Sequence, residues 1–600
     1  MRHEKLTILI QTMIVRGGYT ISYLRAVGRT SLNAIRHNST KPFYVTSPIF
    51  YVNASPHLGH AYSMLLCDTR SRWEKLDPSK KSYFLTGTDE HGLKIQAAAE
   101  NRGMEPKQLV DEVSENFKVL ATKLNFDYDR FMRTTDKDHV ETVNYFWKAI
   151  ESKGLIYQGS HSGWYSVSDE TFYPENQIEE ATNKEGKTIM RCKESRSEVV
   201  FQEETNYFFK LSEFQDQLIE YIESHPKFII PHQKYQEVLR DLKQNKLTDL
   251  SISRPSSRLK WSIEVPNDPS QKIYVWFDAL INYITAAGFP AKFEKHGEKY
   301  VSGNDNIWPA THVVGKDIIK FHCVYWPIML MAIGAELPRQ VVVHAHWLSE
   351  GFKMSKSLGN VVDPVATYEH YGEDALRFFL SEYSNIESDC NFSEESFSDT
   401  RDTLISKYAN LVTRVSGAKF NIEESVKFNQ ESRFEGIDEV ITNSALVQAP
   451  EIIRLKNELI STMNQLYQVM DDRFVNFEHM KAIQEWWKAI DCANLFFQRA
   501  EPWAYNKLIK DTTLSEEDTN NYKLLQNYFV YLAAESSRIC SIVISPVIPS
   551  LSDKILTRLA VKKDHRSKHY TKVGTDHDYG VNANSKHENP IQRVPIRTSV

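Results

Sequence analysis

Hydrophobic and polar positions follow two different patterns along the chain, and the change falls near residue 361. Before that point, short β-rich runs alternate with stretches in which apolar residues recur every three or four positions. A period of three to four places apolar side chains on one face of a helix, so this part has the strand–helix rhythm of a doubly wound parallel α/β sheet. After residue 361 only helical periodicity continues, which predicts an all-α domain.

The pattern predicts the individual elements. Strands are predicted at residues 43–46, 83–86, 273–277, 312–314 and 340–343, and helices at 57–75, 107–124 and 136–152. Between residues 154 and 261 the rhythm gives way to a polar and aromatic stretch rich in turn residues, with a strand at 206–210. We interpret it as an insertion between the two halves of the sheet. The later helices are predicted at residues 371–383, 400–415, 443–469, 480–500 and 520–542.

Residues 1–40 have a composition of their own. They contain many Ser and Thr residues and six Arg or Lys residues, against a single acid, Glu4. This composition predicts a mitochondrial transit peptide and a place in the mitochondrial matrix, although a basic N-terminus without address value is the alternative. The apolar run at residues 6–15 is too short to cross a bilayer, and no other stretch is long and apolar enough for a membrane helix, so we expect no contact with a membrane.

Composition limits the remaining choices. A chain of 600 residues should form two to four domains, and 41% hydrophobic and 25% charged residues are ordinary for a globular protein. The net charge of −6 excludes a general polycation, so any RNA must bind through local basic and aromatic patches. The six cysteines form no CxxC pair, which predicts a reducing compartment without a disulfide framework.

The string HLGH, with His57, Gly59 and His60, falls at the predicted start of the first helix, after the first strand. The two imidazoles, three positions apart, should point the same way, beside free backbone N–H groups and the positive end of the helix dipole. Gly59 should let a ligand approach the backbone closely. Such a helix start is a place where phosphates and nucleotides bind, although two surface histidines capping a helix would give the same string.

A second string, KMSKS, places Lys353 and Lys356 on either side of Ser355, between Gly351 and Gly359. Two compact positive charges on a glycine-flanked loop suit a polyphosphate leaving group, although most lysine-rich loops are simply solvated surface. With HLGH and KMSKS in this order, nearly three hundred residues apart, the chain resembles the class I aminoacyl-tRNA synthetases.

Five further strings narrow this resemblance. They are TSPIFYVNASPHLGH at 46–60, FLTGTDEHG at 84–92, DLSISRP at 249–255, YVWFDA at 274–279 and GKDI at 315–318. Together they resemble the methionyl-tRNA synthetase family over residues 43–549. The resemblance implies a Rossmann-type sheet with an insertion domain, followed by an all-α anticodon-binding bundle.

The activity implied by the resemblance is that of a methionine–tRNA ligase. Methionine and ATP, with Mg²⁺, form methionyl-adenylate and pyrophosphate, and methionine then passes to the terminal adenosine of tRNA(Met) for mitochondrial translation. The substrate carboxylate attacks the α-phosphorus directly, so catalysis should be positioning and charge stabilisation. Because no appended tRNA-binding domain is visible after the helical part, we expect a monomer.

The resemblance also assigns residues. The catalytic residues are His57, His60, Lys353 and Lys356. The ATP site adds Gly59, Asp317 and Ser355. The methionine site consists of Ile49, Tyr51, Asp89, Trp276, Ala279, Tyr283, Ile318 and His322, where Asp89 pairs with the ammonium group. Arg254 is assigned to the methionine carboxylate or phosphate. The anticodon is read by Asn410, Arg414 and Trp503.

Each assignment has a structural alternative. Asp89 could be a helix cap, Trp276 and Tyr283 could be ordinary core residues, and Trp503 could be a buried tryptophan that locks a helix end. Ser406 stands where the family usually has Asn or Asp, and Ala345 where it has glycine. The predicted segments are 1–40 (transit peptide), 41–153 and 266–345 (catalytic halves), 154–265 (insertion), 346–395 (KMSKS loop and stem contact), 396–556 (anticodon-binding) and 557–600 (a loosely ordered, polar basic tail).

The family's insertion often carries a CxxC-type zinc knuckle after a tyrosine. Here that string is YSVSD, residues 165–169, with no cysteine, and Cys192 alone does not complete a four-ligand site. We therefore expect no structural zinc and no other metal ligands.

Three other functions would share part of these sequence features. A synthetase for another aliphatic amino acid would carry a much longer editing insertion, and a small HxGH nucleotidyltransferase would lack the all-α half. A non-catalytic RNA-binding protein derived from a synthetase would have no physical need for His57, His60, Asp89, Lys353 and Lys356 together.

Overall fold

The computed structural model describes residues 41–166, 171–173, 175–183, 186–349, 351–354, 360–584 and 589–597. The predicted transit peptide therefore lies outside the described residues. The first elements are β1 (Phe43–Tyr51), α1 (Leu58–Lys75), β2 (Ser82–Asp89), α2 (Leu93–Arg102), α3 (Pro106–Lys123), β3 (Arg130–Arg133) and α4 (Lys137–Glu151).

Strand β1 is longer than predicted. It continues through Pro48, where its register against β2 shifts between Thr46 and Ile49. Proline lacks a backbone N–H, so it is tolerated within a sheet at such an irregularity. The prediction of an irregular segment from Pro48 onward is therefore wrong as far as Tyr51, and Ile49 and Tyr51 belong to the sheet.

The predicted insertion begins with an antiparallel sheet in the order β5-β4-β8-β7-β6. Its strands are β4 (Ile156–Ser166), β5 (Thr171–Tyr173), β6 (Ile178–Thr182), β7 (Thr188–Cys192) and β8 (Glu198–Phe209). The chain continues through α5 (Gln215–Ser224), β9 (Ile229–Ile230), α6 (His232–Gln244), β10 (Leu250–Ser251), β11 (Ser253–Pro255), β12 (Glu264–Val265) and β13 (Asp268–Ile273). Strand β10 pairs with β8, and the last three strands form a small antiparallel sheet.

The next elements are α7 (Val275–Ala286), β14 (Phe293–His296), β15 (Lys299–Ser302), β16 (Ala310–Gly315), α8 (Trp326–Ile333) and β17 (Gln340–His344). The strand predicted at 273–277 is wrong, because β13 ends at Ile273 and α7 begins two residues later. Nearly every side chain of α7 is buried, so its sequence lacks the polar face that marks a helix. A short apolar run of this kind does not distinguish a helix from a buried strand.

The central sheet has six parallel strands in the order β3-β2-β1-β16-β17-β9. Neighbouring residues of β1 face opposite cores: Tyr44 packs in one hydrophobic cluster and Val45 in another. The sheet is therefore covered on both faces, and the predicted doubly wound fold is confirmed. The strand order reverses between β1 and β16, and ligands of such sheets bind in the crevice at the carboxyl ends of those strands.

A connecting region follows, with β18 (Trp347–Ser349), β19 (Phe352–Lys353), α9 (Pro364–Tyr371), α10 (Glu373–Glu382), β20 (Cys390–Phe392) and α11 (Glu394–Thr403). A π-helical turn at Leu404–Ala409 joins α11 to α12 (Asn410–Val415). The remaining helices are α13 (Ile422–Gln430), α14 (Ile437–Asn443), α15 (Ala449–Phe474), α16 (His479–Ala500), α17 (Tyr505–Leu508), α18 (Glu516–Ile544) and α19 (Pro549–Arg558). The prediction of an all-α region is confirmed from α11 onward, but strand β20 shows that this region does not begin at residue 361 as predicted. Among the described residues no helix is both long and apolar enough to cross a membrane.

The expectation of a loosely ordered tail is wrong for residues 559–584. Tyr579 and Ala583 are buried in the core of the helical region. The backbone N–H of Gly574 donates to Glu535 of α18 at 2.8 Å, and Arg538 donates to the carbonyl of Tyr570 at 2.5 Å. The tail supplies partners for a buried ion pair of α18, and because it does so through turns, it shows no periodicity in the sequence.

Candidate active site

The two histidines of HLGH cap the first turn of α1. Gly59 N–H donates to Nδ1 of His57, and His57 N–H donates to Nδ1 of His60, both at 3.1 Å. The rings stack with centroids 3.7 Å apart. The expectation that these N–H groups are free for a ligand is therefore wrong for these two, because the imidazoles take them up.

These hydrogen bonds fix the form of both imidazoles. A backbone N–H only donates, so each Nδ1 accepts and the proton of each ring lies on Nε2. His60 packs against both Phe50 and Phe117, whose rings stack on each other. Burial, reinforced by the neighbouring His57, holds the pKa of His60 well below its ordinary value. His60 is therefore neutral, and Nε2–H is its remaining donor.

Gly59 and Ser63 set the surroundings of this helix start. A Cβ at Gly59 would lie 3.0 Å from the His57 ring, so the glycine is required by the ring itself. Ser63 Oγ lies 2.8 Å from Nε2 of His344, which ends β17. Nδ1 of His344 donates to the carbonyl of Ala345. Burial lowers the pKa of His344 to about 4, so its neutral ring joins α1 to β17.

One wall of the predicted methionine site lies at the carboxyl ends of β1 and β2. Tyr51 and Asp89 are direct register partners, and Ile49 pairs with Gly87. Asp89 is only 4% exposed. The Tyr51 hydroxyl donates to the carbonyl of His91 at 2.8 Å. The structure thus brings the predicted ammonium partner and the predicted aromatic wall together.

The opposite wall is built on α7 and the turn before α8. The Tyr283 hydroxyl lies 2.7 Å from Nε2 of His322, whose Nδ1 donates to the carbonyl of Ile318 at 3.0 Å. Burial lowers the pKa of His322 to about 4, so the neutral ring accepts from Tyr283. Trp276 stacks on Phe321 with centroids 3.7 Å apart. These contacts bring together the predicted residues Trp276, Ala279, Tyr283, Ile318 and His322 on adjoining segments.

The remaining predicted residues are placed less completely. Asp317 follows β16 and pairs with Nε2 of His346 at 2.9 Å. Arg254 is buried, donates to the carbonyl of Ser253 at 2.6 Å and lies over the ring of Tyr274. Lys353 lies in β19, where its backbone pairs with Leu348. The side chain of Lys353, and all of Ser355 and Lys356, lie outside the described residues.

Sequence reasoning missed two buried groups behind the pocket. Asp278 accepts from Nδ1 of His91 and from Nε2 of His139, both at 2.7 Å. His312 lies 2.8 Å from the Thr46 hydroxyl and accepts from the Trp326 indole at 3.1 Å. Asp278 and His91 lie within the strings that carry the resemblance, which was a usable signal. Nothing in the sequence pointed to His139.

The predicted anticodon residues meet at the end of α16. The Arg414 guanidinium lies 5.4 Å from the Trp503 ring and 5.0 Å from the Phe497 ring, and it donates to Gln498 at 3.0 Å. Trp503 is only partly buried, so it is not the fully buried tryptophan of the alternative. Asn410 is exposed at the start of the same helix, α12.

Comparison with known proteins agrees with this geometry. A family model described as "tRNA synthetases class I (M)" matches residues 43–416, which defines the chain as a class I aminoacyl-tRNA synthetase. The mitochondrial methionine–tRNA ligase of Candida albicans is 56% identical and covers 95% of this chain and 99% of its own length. That of Saccharomyces cerevisiae is 43% identical, with 93% and 96% covered.

A solved structure is similar over most of the chain. The Mycobacterium tuberculosis methionyl-tRNA synthetase in complex with methionyl-adenylate superposes with a TM-score of 0.77 and 33% identity, covering 92% of this chain and all of its own. The chain belongs to the methionyl-tRNA synthetase family. The predicted methionine–tRNA ligase activity and mitochondrial location are thereby confirmed.

Proposed function

We propose that the crevice between β1 and β16 activates methionine with ATP, with the neutral imidazoles of His57 and His60 acting on the phosphate. The observation that carries this proposal is the pair of Nδ1 hydrogen bonds, which leaves both rings with their proton on Nε2. As the methionine carboxylate attacks the α-phosphorus, negative charge grows on the phosphate oxygens. Preorganised N–H donors stabilise that charge without reorganisation.

The leaving pyrophosphate is assigned to Lys353 and Lys356, with Ser355 as a further contact of ATP. Asp317 is assigned to the ribose hydroxyl groups, which would replace its contact with His346. We propose that Mg²⁺ would come with ATP and offset the negative charge of its phosphates; among the described residues no three His, Cys, Asp or Glu side chains converge on a metal site of the protein's own.

The methionine site takes its selectivity from its two walls. Asp89 pairs with the ammonium group, while Ile49, Tyr51 and Trp276 surround the side chain together with Ala279 and Tyr283. A polarisable thioether packs well against aromatic rings. The carbonyl of Ile318 fixes the tautomer of His322. Nε2 of His322 then accepts the hydrogen bond of the Tyr283 hydroxyl and so orients it.

The second half-reaction delivers methionine to the terminal adenosine of tRNA(Met). We propose that Asn410, Arg414 and Trp503 read the anticodon, because an exposed amide, a guanidinium and a half-buried indole on one surface suit splayed RNA bases. We also propose that the protein is a monomer and that it holds no structural zinc. Light scattering would measure the oligomeric state, and elemental analysis would measure the zinc content.

The decisive assay is methionine-dependent ATP–pyrophosphate exchange. Lys356→Ala should lower kcat while methionine binding stays nearly unchanged, because pyrophosphate charge develops only in the transition state. Asp89→Asn should instead raise the KM for methionine. A purified protein without exchange activity, or a Lys356→Ala variant with a raised KM and unchanged kcat, would contradict these roles.

A further inference from the structure

A buried carboxylate, Asp278, links the two walls of the proposed methionine site from behind the pocket. It belongs to α7, next to Ala279 in the chain, and its side chain is completely buried. The opposite wall, with Tyr51 and Asp89, belongs to β1 and β2. Asp278 neither lines the predicted pocket nor carries any assigned role.

Both oxygens of Asp278 are engaged. Oδ2 accepts from Nδ1 of His91 and Oδ1 from Nε2 of His139, each at 2.7 Å. Burial alone would raise the pKa of Asp278, but the two imidazoles hold it below its ordinary value, so the carboxylate is ionised. A carboxylate that accepts a hydrogen bond at each oxygen does not rotate, so its position in the core is fixed.

His91 joins this carboxylate to the first wall. It lies two residues after Asp89, and its backbone carbonyl accepts the hydrogen bond from the Tyr51 hydroxyl at 2.8 Å. A continuous chain of contacts thus runs from Tyr51 through His91 and Asp278 to α7. His139, on α4, holds the other oxygen from behind.

We propose that Asp278 is a positioning residue that fixes the separation between Asp89 and the side-chain wall on α7, and with it the length of amino acid that the site accepts. The inference rests on the proposed methionine site. A pocket discriminates substrates that differ by one methylene by about 10- to 200-fold, and such discrimination requires walls at a fixed distance.

The test compares methionine with ethionine, its S-ethyl homologue, in ATP–pyrophosphate exchange. Asp278→Asn should raise the KM for methionine about 10-fold and lower the methionine-to-ethionine ratio of kcat/KM about 10-fold. The KM for ATP should change less than about twofold, because the phosphate donors lie on α1. A loss of folding alone would not produce this selective pattern.

A second pair of variants guards against an Asp278→Asn protein that does not fold. Asn places its amide nitrogen near the position of Nδ1 of histidine, so His91→Asn should keep most of the selectivity while His91→Ala loses it. Glu535→Gln is the matched control, because Glu535 is an equally buried carboxylate that pairs with Arg538 at 2.7 Å in α18. It should lower Tm and leave the methionine-to-ethionine ratio unchanged.

An unchanged ratio in both Asp278→Asn and His91→Ala would overturn the inference, as would an equal change in Glu535→Gln. The proposed site is tested separately by Asp89→Asn. If that variant loses methionine activation while Asp278→Asn keeps its selectivity, only the positioning role of Asp278 fails. If Asp89→Asn leaves the KM for methionine unchanged, the proposed methionine site itself is wrong.

Discussion

Replacing Trp503 by alanine should separate the two half-reactions. Trp503 follows the end of α16, and its half-buried ring contacts Phe497 at 5.8 Å between centroids and the Arg414 guanidinium at 5.4 Å. Alanine removes the flat surface on which a base would stack, and it leaves Arg414 its contacts with Phe497 and Gln498. The lost interaction is therefore that with RNA, together with a modest packing term.

The size of the effect follows from base stacking. A stacked base contributes about 1–3 kcal/mol, so kcat/KM for tRNA in aminoacylation should fall about 5- to 150-fold. ATP–pyrophosphate exchange should stay within about twofold, because the crevice between β1 and β16 is a different site on the chain. Both rates should be measured on the same preparation, together with Tm.

Two controls make the result interpretable. Trp503→Phe keeps an aromatic face and should retain most of the aminoacylation rate. Trp487→Ala removes a half-buried indole within α16, whose Nε1 donates to Glu382 at 2.7 Å, and should lower Tm without a comparable loss in tRNA charging. If Trp503→Ala reduced exchange, charging and Tm together, Trp503 would be a core residue and the assignment would be wrong.

Three further predictions concern the tautomer of His60, the pH dependence of stability and a buried ion pair. His60→Gln should keep more exchange activity than His60→Asn, because the amide of glutamine reaches the position of Nε2, and the opposite order would contradict the assigned tautomer. Burial lowers the pKa of His322 to about 4 and that of His479 to about 3, so the folded state should lose up to about 1.4 kcal/mol per histidine and pH unit as pH falls below ~6.5. Thermal unfolding from pH 7.5 to 5 should show this fall, and His479→Leu should flatten it. Arg377→Met should cost about 3–5 kcal/mol in chemical unfolding, because it removes the fully buried partner of Asp68 at 2.6 Å, leaving Arg72 as its ion-pair partner, and also removes the hydrogen bonds to the carbonyls of Pro546 and Val547; a cost near zero would contradict that role.

Helices α15 and α16 lie near their predicted places because each buries one regular set of side chains, which gives the sequence a helical period. Strands β16 and β17 and helix α18 also lie near their predicted places although they are buried nearly throughout; the two strands are short β-rich runs, and α18 is long. Only the first three residues of α7 were assigned to a strand, because this apolar helix start is almost completely buried. The turns of residues 559–584 carry no period at all, although they complete the core.

The sequence strings predicted individual residues of the proposed site, but they did not predict the hydrogen bonds that join distant residues behind it. The strings located His57, Asp89 and Trp276, since each of these residues lies within one of them. The hydrogen bond between His139 and Asp278 joins residues 139 positions apart. Such a pairing depends on the packing of α4 against α7, and no local rule of propensity or spacing contains it.

Helix α1 connects the proposed active site to the helical region. It carries His57 and His60 at one end, and its 18 residues span about 27 Å. At the other end the Trp73 indole donates to Asp471 of α15 at 2.8 Å.

Between these ends, Asp68 of α1 accepts from Arg377, which also donates to the carbonyls of Pro546 and Val547 after α18. A helix held at both ends by buried polar contacts moves as a rod, because its own hydrogen bonds resist bending. The position of the His57 and His60 imidazoles therefore depends on the packing of α1 against the helical region. The helical region thus helps to set the geometry of the proposed active site, and it also carries the surface proposed to read the anticodon.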